Sequence, residues 1–216
     1  MSAARDEILG RIRAALRDVP ATETATDVPV ARAYRHTDER PRDELVELLC
    51  ARIDDYHADV RRLPGDADVG RAVADACTDM GLARVAVPPQ LPRHWRPDGV
   101  DVVEDRDLSA RQLDELDGAI TGCAAAIAET GTLVLDGQAM SGRRLLTLVP
   151  DHHICVVCAD QVVGQVPEAI AAVATPVGER GVPITLVSGA SATSDIELER
   201  VEGVHGPRHL LVLVVG

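Results

Sequence analysis

The chain has no phenylalanine and no lysine, and only one tryptophan and two tyrosines among its 216 residues. A hydrophobic core must therefore be assembled from Val, Leu, Ile and Ala, and an apolar content of 46% is ample for one. All 22 basic residues are arginine, which excludes a Schiff-base lysine and the lysine of a phosphate-binding P-loop. They are outnumbered by 35 acidic residues, and the formal charge of −13 argues against nucleic acid or an anionic membrane as partner. The G-x-S-x-G nucleophile elbow, the Rossmann G-x-G-x-x-G and the C-x-x-C-x-x-C-x-x-x-C-P pattern of iron–sulfur proteins are all missing. No apolar run reaches the length of a membrane span; Leu210–Val215 is strand-sized. The five cysteines (Cys50, Cys77, Cys123, Cys155 and Cys158) are odd in number and scattered, and the N-terminus is charged and helical rather than a signal peptide. These features suit a reducing, cytoplasmic compartment.

What is present divides into an N-terminal helix and linker over residues 1–40 and an α/β domain over 41–216. Ile8, Ile12 and Leu16 recur every four residues, predicting an amphipathic helix over Ser2–Asp18. A linker of Pro, Thr and Asp follows. Helical spacing returns over Pro41–Leu63 and again over Val69–Met80, where Gly81 supplies a stop. Short β-branched runs then alternate with helical stretches. Strands are predicted at Arg84–Val87, Val100–Val103, Ala119–Thr121, Thr132–Leu135, Ile154–Cys158, Ile184–Val187 and Leu211–Val215. Helices are predicted from the Ser109–Gln112 capping box, over Val166–Val173 and over Asp195–Val201. Such alternation implies a three-layer α/β fold around a mostly parallel sheet.

The stretch Val182–Pro207 organises the candidate site. A short strand leads into Ser188-Gly189-Ala190-Ser191-Ala192-Thr193-Ser194, a hydroxyl-rich turn, and then into the helix predicted from Asp195. Strand, small-residue turn and helix N-terminus form a common anion site at the carboxyl end of a parallel strand, with Ser188, Gly189, Ser191, Thr193 and Asp195 as binding residues. His205 and Gly206 follow in a Gly-Val-His-Gly-Pro loop, and His205 is a candidate acid or base. A second hydroxyl-rich break, Glu129-Thr130-Gly131-Thr132, offers a carboxylate for base or nucleophile chemistry and two threonines for an anion. The two turns are expected side by side. Arg143 could present its guanidinium to a carboxylate or phosphate. The C-x-x-C of Cys155 and Cys158 is read as strand, not metal site, because residues three apart point to opposite faces. No metal is expected, and the residues assign no cofactor.

Several of these runs are also similar to a known family. S-G-A-S-A-T-S-D-I-E from Ser188, G-V-H-G-P-R-H-L-L-V-L-V from Gly203, A-E-T-G-T-L from Ala128 and P-D-H-H-I from Pro150 resemble the marks of the LUD-domain family, of the lactate-utilisation protein C type. Ala190 and Ala192 depart from it, standing where the family pattern has proline and arginine. The resemblance implies a NagB/RpiA/CoA-transferase-like fold. It also implies a role as the non-cluster subunit of an L-lactate utilisation system, beside iron–sulfur companion subunits and with a small organic-acid ligand. The alternative is a free-standing transferase or isomerase acting on a CoA thioester or sugar phosphate through Glu129.

Overall fold

A computed structural model describes residues 3–20, 22–24, 26–27, 30–65, 67–194, 200–203 and 205–216. It divides into two compact units, Met1–Tyr34 and Arg35–Gly216. In the first, helix α1 (Ala3–Ala15) buries none of its residues, and Ile8 and Ile12 stand exposed.

The second unit opens with α2 (Arg42–Asp55), whose Leu45, Val46, Leu49 and Ile53 form one buried face. The helix predicted to run to Leu63 stops at Asp55. His57 adopts a left-handed φ of 58°, the chain reverses, and Asp59–Leu63 becomes strand β1. It runs parallel to the C-terminal strand, whose edge hydrogen bonds outweigh continued helix.

Then follow α3 (Val69–Met80), β2 (Arg84–Val87), β3 (Asp101–Glu104), α4 (Ala110–Asp114), β4 (Gly118–Gly122), β5 (Ala125–Ile127), β6 (Thr132–Leu135), β7 (His152–Cys158), β8 (Val162–Val163) and α5 (Val166–Arg180). The chain closes with β9 (Thr185–Val187), β10 (Ala192–Ser194), β11 (Arg200–Glu202) and β12 (His209–Val215). The Ser109–Gln112 capping box is formed, each side chain meeting the other residue's backbone N–H.

Six strands make an all-parallel sheet in the order β1-β12-β7-β4-β2-β3. Its two faces are sorted by strand alternation. Ile154, Val156, Leu211 and Leu213 pack with Val73 and Cys77 of α3. Cys155, Val157, Val212 and Val214 pack with Leu49 and Ile53 of α2. Cys155 and Cys158 thus belong to opposite faces.

On the α2 side lies a smaller mixed sheet, β8-β5-β6-β9. Ala126, Leu133 and Leu135 face the α2 core, while Ala125, Ile127 and Val134 meet Ala169 and Val173 of α5. Two expectations are corrected here. The strand after α5 is not parallel: β9 pairs antiparallel with β6 in the small sheet. A three-residue strand carries no sign of its direction, which its partner decides. The helix predicted over Asp195–Val201 is also replaced where the structure describes it. Arg200–Glu202 is a strand pairing antiparallel with Ala192–Ser194, with Thr193 in register with Val201. Both are β-branched, and their strand preference prevails over the helical spacing of a short segment. Residues 195–199, with Asp195, lie outside the described residues.

Candidate functional site

The two turns singled out in the sequence meet at the last turn of α2. Gly189 has φ 78°, and a Cβ there would stand 2.7 Å from Cβ of Tyr56. Gly131 has φ 60°, and a Cβ there would stand 2.8 Å from the backbone of Arg52. Only glycine allows both the left-handed backbone and the close approach. Pairing of Leu133 with Val187 then sets Thr132 beside Ser188. Their hydroxyls are 2.7 Å apart, and the Thr130 hydroxyl lies 2.6 Å from that of Thr132, giving a chain of three hydroxyl groups.

Ser191 ties the first turn to the Gly203–Pro207 loop. Its N–H donates to the carbonyl of Pro207 at 2.8 Å, and its own carbonyl accepts from the N–H of Gly203 at 2.8 Å. The His205 N–H donates to its hydroxyl at 3.2 Å. Between turn and loop opens a cavity of about 230 Å³. Ser188, Gly189 and Ser191 line one wall, and His205 and Gly206 the other. Leu148, His153 and Leu210 line it as well. His153 and Leu210 are the second residues of β7 and β12, so the cavity sits at the amino ends of these two neighbouring strands. The usual ligand crevice of such sheets lies at the other end.

His153 lies in the P-D-H-H-I run but is not among the site residues read from the sequence. It is 1% exposed, and its Nε2 lies 2.8 Å from the hydroxyl of the equally buried Thr121. Burial pushes its pKa down to about 4. The signal was available: in H-H-I-C-V-V-C, period-two alternation places His153 on the inward face with Cys155 and Val157. Its neighbour His152 faces the other way, stacked on His209 with ring centroids 4.5 Å apart.

The remaining candidates lie elsewhere. Glu129 is half-exposed and accepts a 3.0 Å bond from Arg35; it does not line the cavity. Arg143 grips Asp105 with two hydrogen bonds, of 2.7 and 2.6 Å, and also donates to the carbonyl of Leu108. The carboxylate of Asp105 raises the Arg143 pKa, so this half-buried guanidinium is committed to an ion pair with a buried carboxylate. The pair borders a separate cavity of about 330 Å³ at the carboxyl ends of β2 and β3. Thr193 lies in β10. The cysteines are not poised for chemistry: contact with Cys155, then burial, drives the Cys123 thiol pKa up, and burial takes that of Cys77 to about 11. Among the described residues no cluster of three or more His, Cys, Asp or Glu could hold a metal ion.

Comparison with known proteins adds the family. The model of the LUD domain matches residues 50–215. The chain belongs to the LUD-domain family. This LUD domain is 49% identical over 181 residues to lactate utilization protein C of Deinococcus radiodurans, across 81% of each chain. It is 32% identical over 113 residues to lactate utilization protein C of Shouchella clausii, covering 51% of this chain and 49% of the relative. A crystal structure of a duf162 family protein from Deinococcus radiodurans superposes with a TM-score of 0.70 at 42% identity, covering 82% of this chain and 99% of that one. The match takes in the cavity, its floor on β7 and β12 and both turns. Among the described residues no helix of this LUD domain is long and apolar enough to cross a membrane.

Proposed function

We propose that this LUD domain is a cytoplasmic, non-cluster subunit of an L-lactate utilisation system. Its cavity binds a small organic anion such as lactate or pyruvate, and iron–sulfur companion subunits carry the electrons of lactate oxidation. The names of its relatives support the pathway, and one feature of the cavity supports the ligand class. The described lining contains no carboxylate, in a chain with 35 acidic residues and a formal charge of −13. The net negative charge disfavours an anion overall, whereas this lining offers it hydroxyls, imidazoles and turn N–H groups. The absence of arginine from the same lining favours a small monoanion over a polyphosphate. Its volume of about 230 Å³ also suits a small ligand.

Calorimetry with lactate and pyruvate tests this reading. Weak to moderate binding is expected. Ser191→Ala, which removes one neutral hydrogen-bonding group, should weaken it a few-fold to about tenfold. Tight binding of a CoA ester with no response to carboxylates would favour a transferase or isomerase instead. That alternative relies on Glu129, which is paired with Arg35 outside the cavity.

A further inference from the structure

The floor of the cavity holds His153, and its polar partner Thr121 lies behind it, outside the lining. On β4 and β7, Thr121 and His153 project from the same sheet face, since register pairs Thr121 with Cys155 and Ala119 with His153. Leu148 and Leu210, which line the cavity with His153, are apolar. A buried histidine serving only as core filler needs no access to a cavity, and His153 has it.

We propose that His153 recognises the ligand from the floor: Thr121 donates its hydroxyl hydrogen to Nε2, and Nδ1–H is donated to a carboxylate or keto oxygen of a small organic acid. This rests on the reading that the cavity takes such an acid. The direction of the Thr121 bond follows from satisfaction of buried groups. Among the described residues, the Thr121 hydroxyl has Nε2 of His153 as its one hydrogen-bond partner. Were Nε2 the donor, the hydroxyl hydrogen would be buried without an acceptor, which is costly. With Thr121 as donor, Nε2 is the bare nitrogen and the neutral ring carries its proton on Nδ1. Among the described residues no fully buried side-chain nitrogen or oxygen lacks a partner, and Nδ1 makes no bond to any of them. Nδ1 therefore opens to the cavity. A neutral imidazole held in one tautomer donates to an acceptor without the cost of burying a cation. The opposite tautomer would aim a lone pair at the ligand and repel a carboxylate.

The test has two arms. Nitrogen NMR on histidine-labelled, ligand-free protein should show His153 as the Nδ1–H tautomer, and pyruvate should shift that resonance. In calorimetry with pyruvate, His153→Gln keeps a polar group near the Nε2 position, against Thr121, and loses the one facing the cavity. Affinity should fall about tenfold or more, as for a lost bond to a charged acceptor. His153→Asn places its amide near the Nδ1 position and should stay within about threefold of wild type. The Nε2–H tautomer, unchanged affinity in His153→Gln, or equal losses in both variants would overturn the assignment while the functional reading stands. No carboxylate binding by wild type would overturn that reading, and this assignment with it.

Discussion

Burying a histidine makes the stability of this domain depend on pH in a defined window. His153 stays neutral in the folded protein down to about pH 4, because burial disfavours the imidazolium. Its reference value in an unfolded chain is about 6.5. Between those limits the unfolded chain takes up a proton that the folded chain refuses, so stability falls as pH drops from about 6.5 to 4. The full difference corresponds to about 3 kcal/mol. Glu104 and Asp151 titrate in a different window. Hydrogen bonds from Arg96 and Arg106, and from Arg208, hold their carboxyls below the usual range. The stability they contribute is present above about pH 4 and is lost only as pH falls further. Urea unfolding of wild type and His153→Gln at several pH values between 7 and 4 separates the two. The variant should lose much less stability than wild type across this range, and curves that stay parallel would refute the assignment. Histidine in an apolar strand is hard to read from sequence because it suits a metal site, a catalytic site and a satisfied core position equally well. Alternation gives its face; only the neighbouring strand supplies Thr121.

At the scale of elements, local signals were legible where they were strong and self-contained. Val69–Met80 with its Gly81 stop, the Ser109–Gln112 capping box and Arg84–Val87 stand where the sequence puts them. The misread elements depend on distant partners. Asp59–Leu63 is a strand because Leu211–Val215 offers it an edge, and Ala125–Ile127 is one because it pairs with Thr132–Leu135; Thr185–Val187, a strand as expected, takes its antiparallel direction from that same partner. The adjacency of Thr132 and Ser188 could be guessed from their shared composition, but the packing of both turns on α2 could not. That packing gives Gly189 a measurable role. A Cβ there would collide with Tyr56 and hold a side-chain residue at φ 78°. Positive-φ strain costs on the order of 1–3 kcal/mol, to which the collision adds. Gly189→Ala should therefore lower the unfolding free energy by at least about 1 kcal/mol. It should also displace Ser188 and Ser191 from the cavity, weakening pyruvate binding more than Ser191→Ala does. Denaturant titration and calorimetry on the same preparation report both effects. A variant with wild-type stability and affinity would mean that the turn does not depend on α2.

For the whole molecule, the division at Tyr34 separates two kinds of sequence. Residues 35–216 contain every described member of the four hydrophobic clusters, all three described sheets and the cavity. No described residue of the preceding unit belongs to those clusters, and its helix buries no residue. Hydrophobic burial dominates folding free energy, so a segment absent from every core cluster adds little to it. The ion pair between Arg35 and Glu129 lies within the larger unit and survives removal of residues 1–34. An exposed pair of this kind is itself worth no more than about 1 kcal/mol. A chain beginning at Arg35 should fold cooperatively, melt within a few degrees of the full-length protein and bind pyruvate with the same affinity. Thermal unfolding and calorimetry decide the matter. A large drop in melting temperature would show that the N-terminal helix is part of the fold. An unchanged melt with lost binding would show that it reaches the ligand. With both properties retained, the apolar stripe of Ile8, Ile12 and Leu16 serves neither the folding of the larger unit nor the binding of pyruvate.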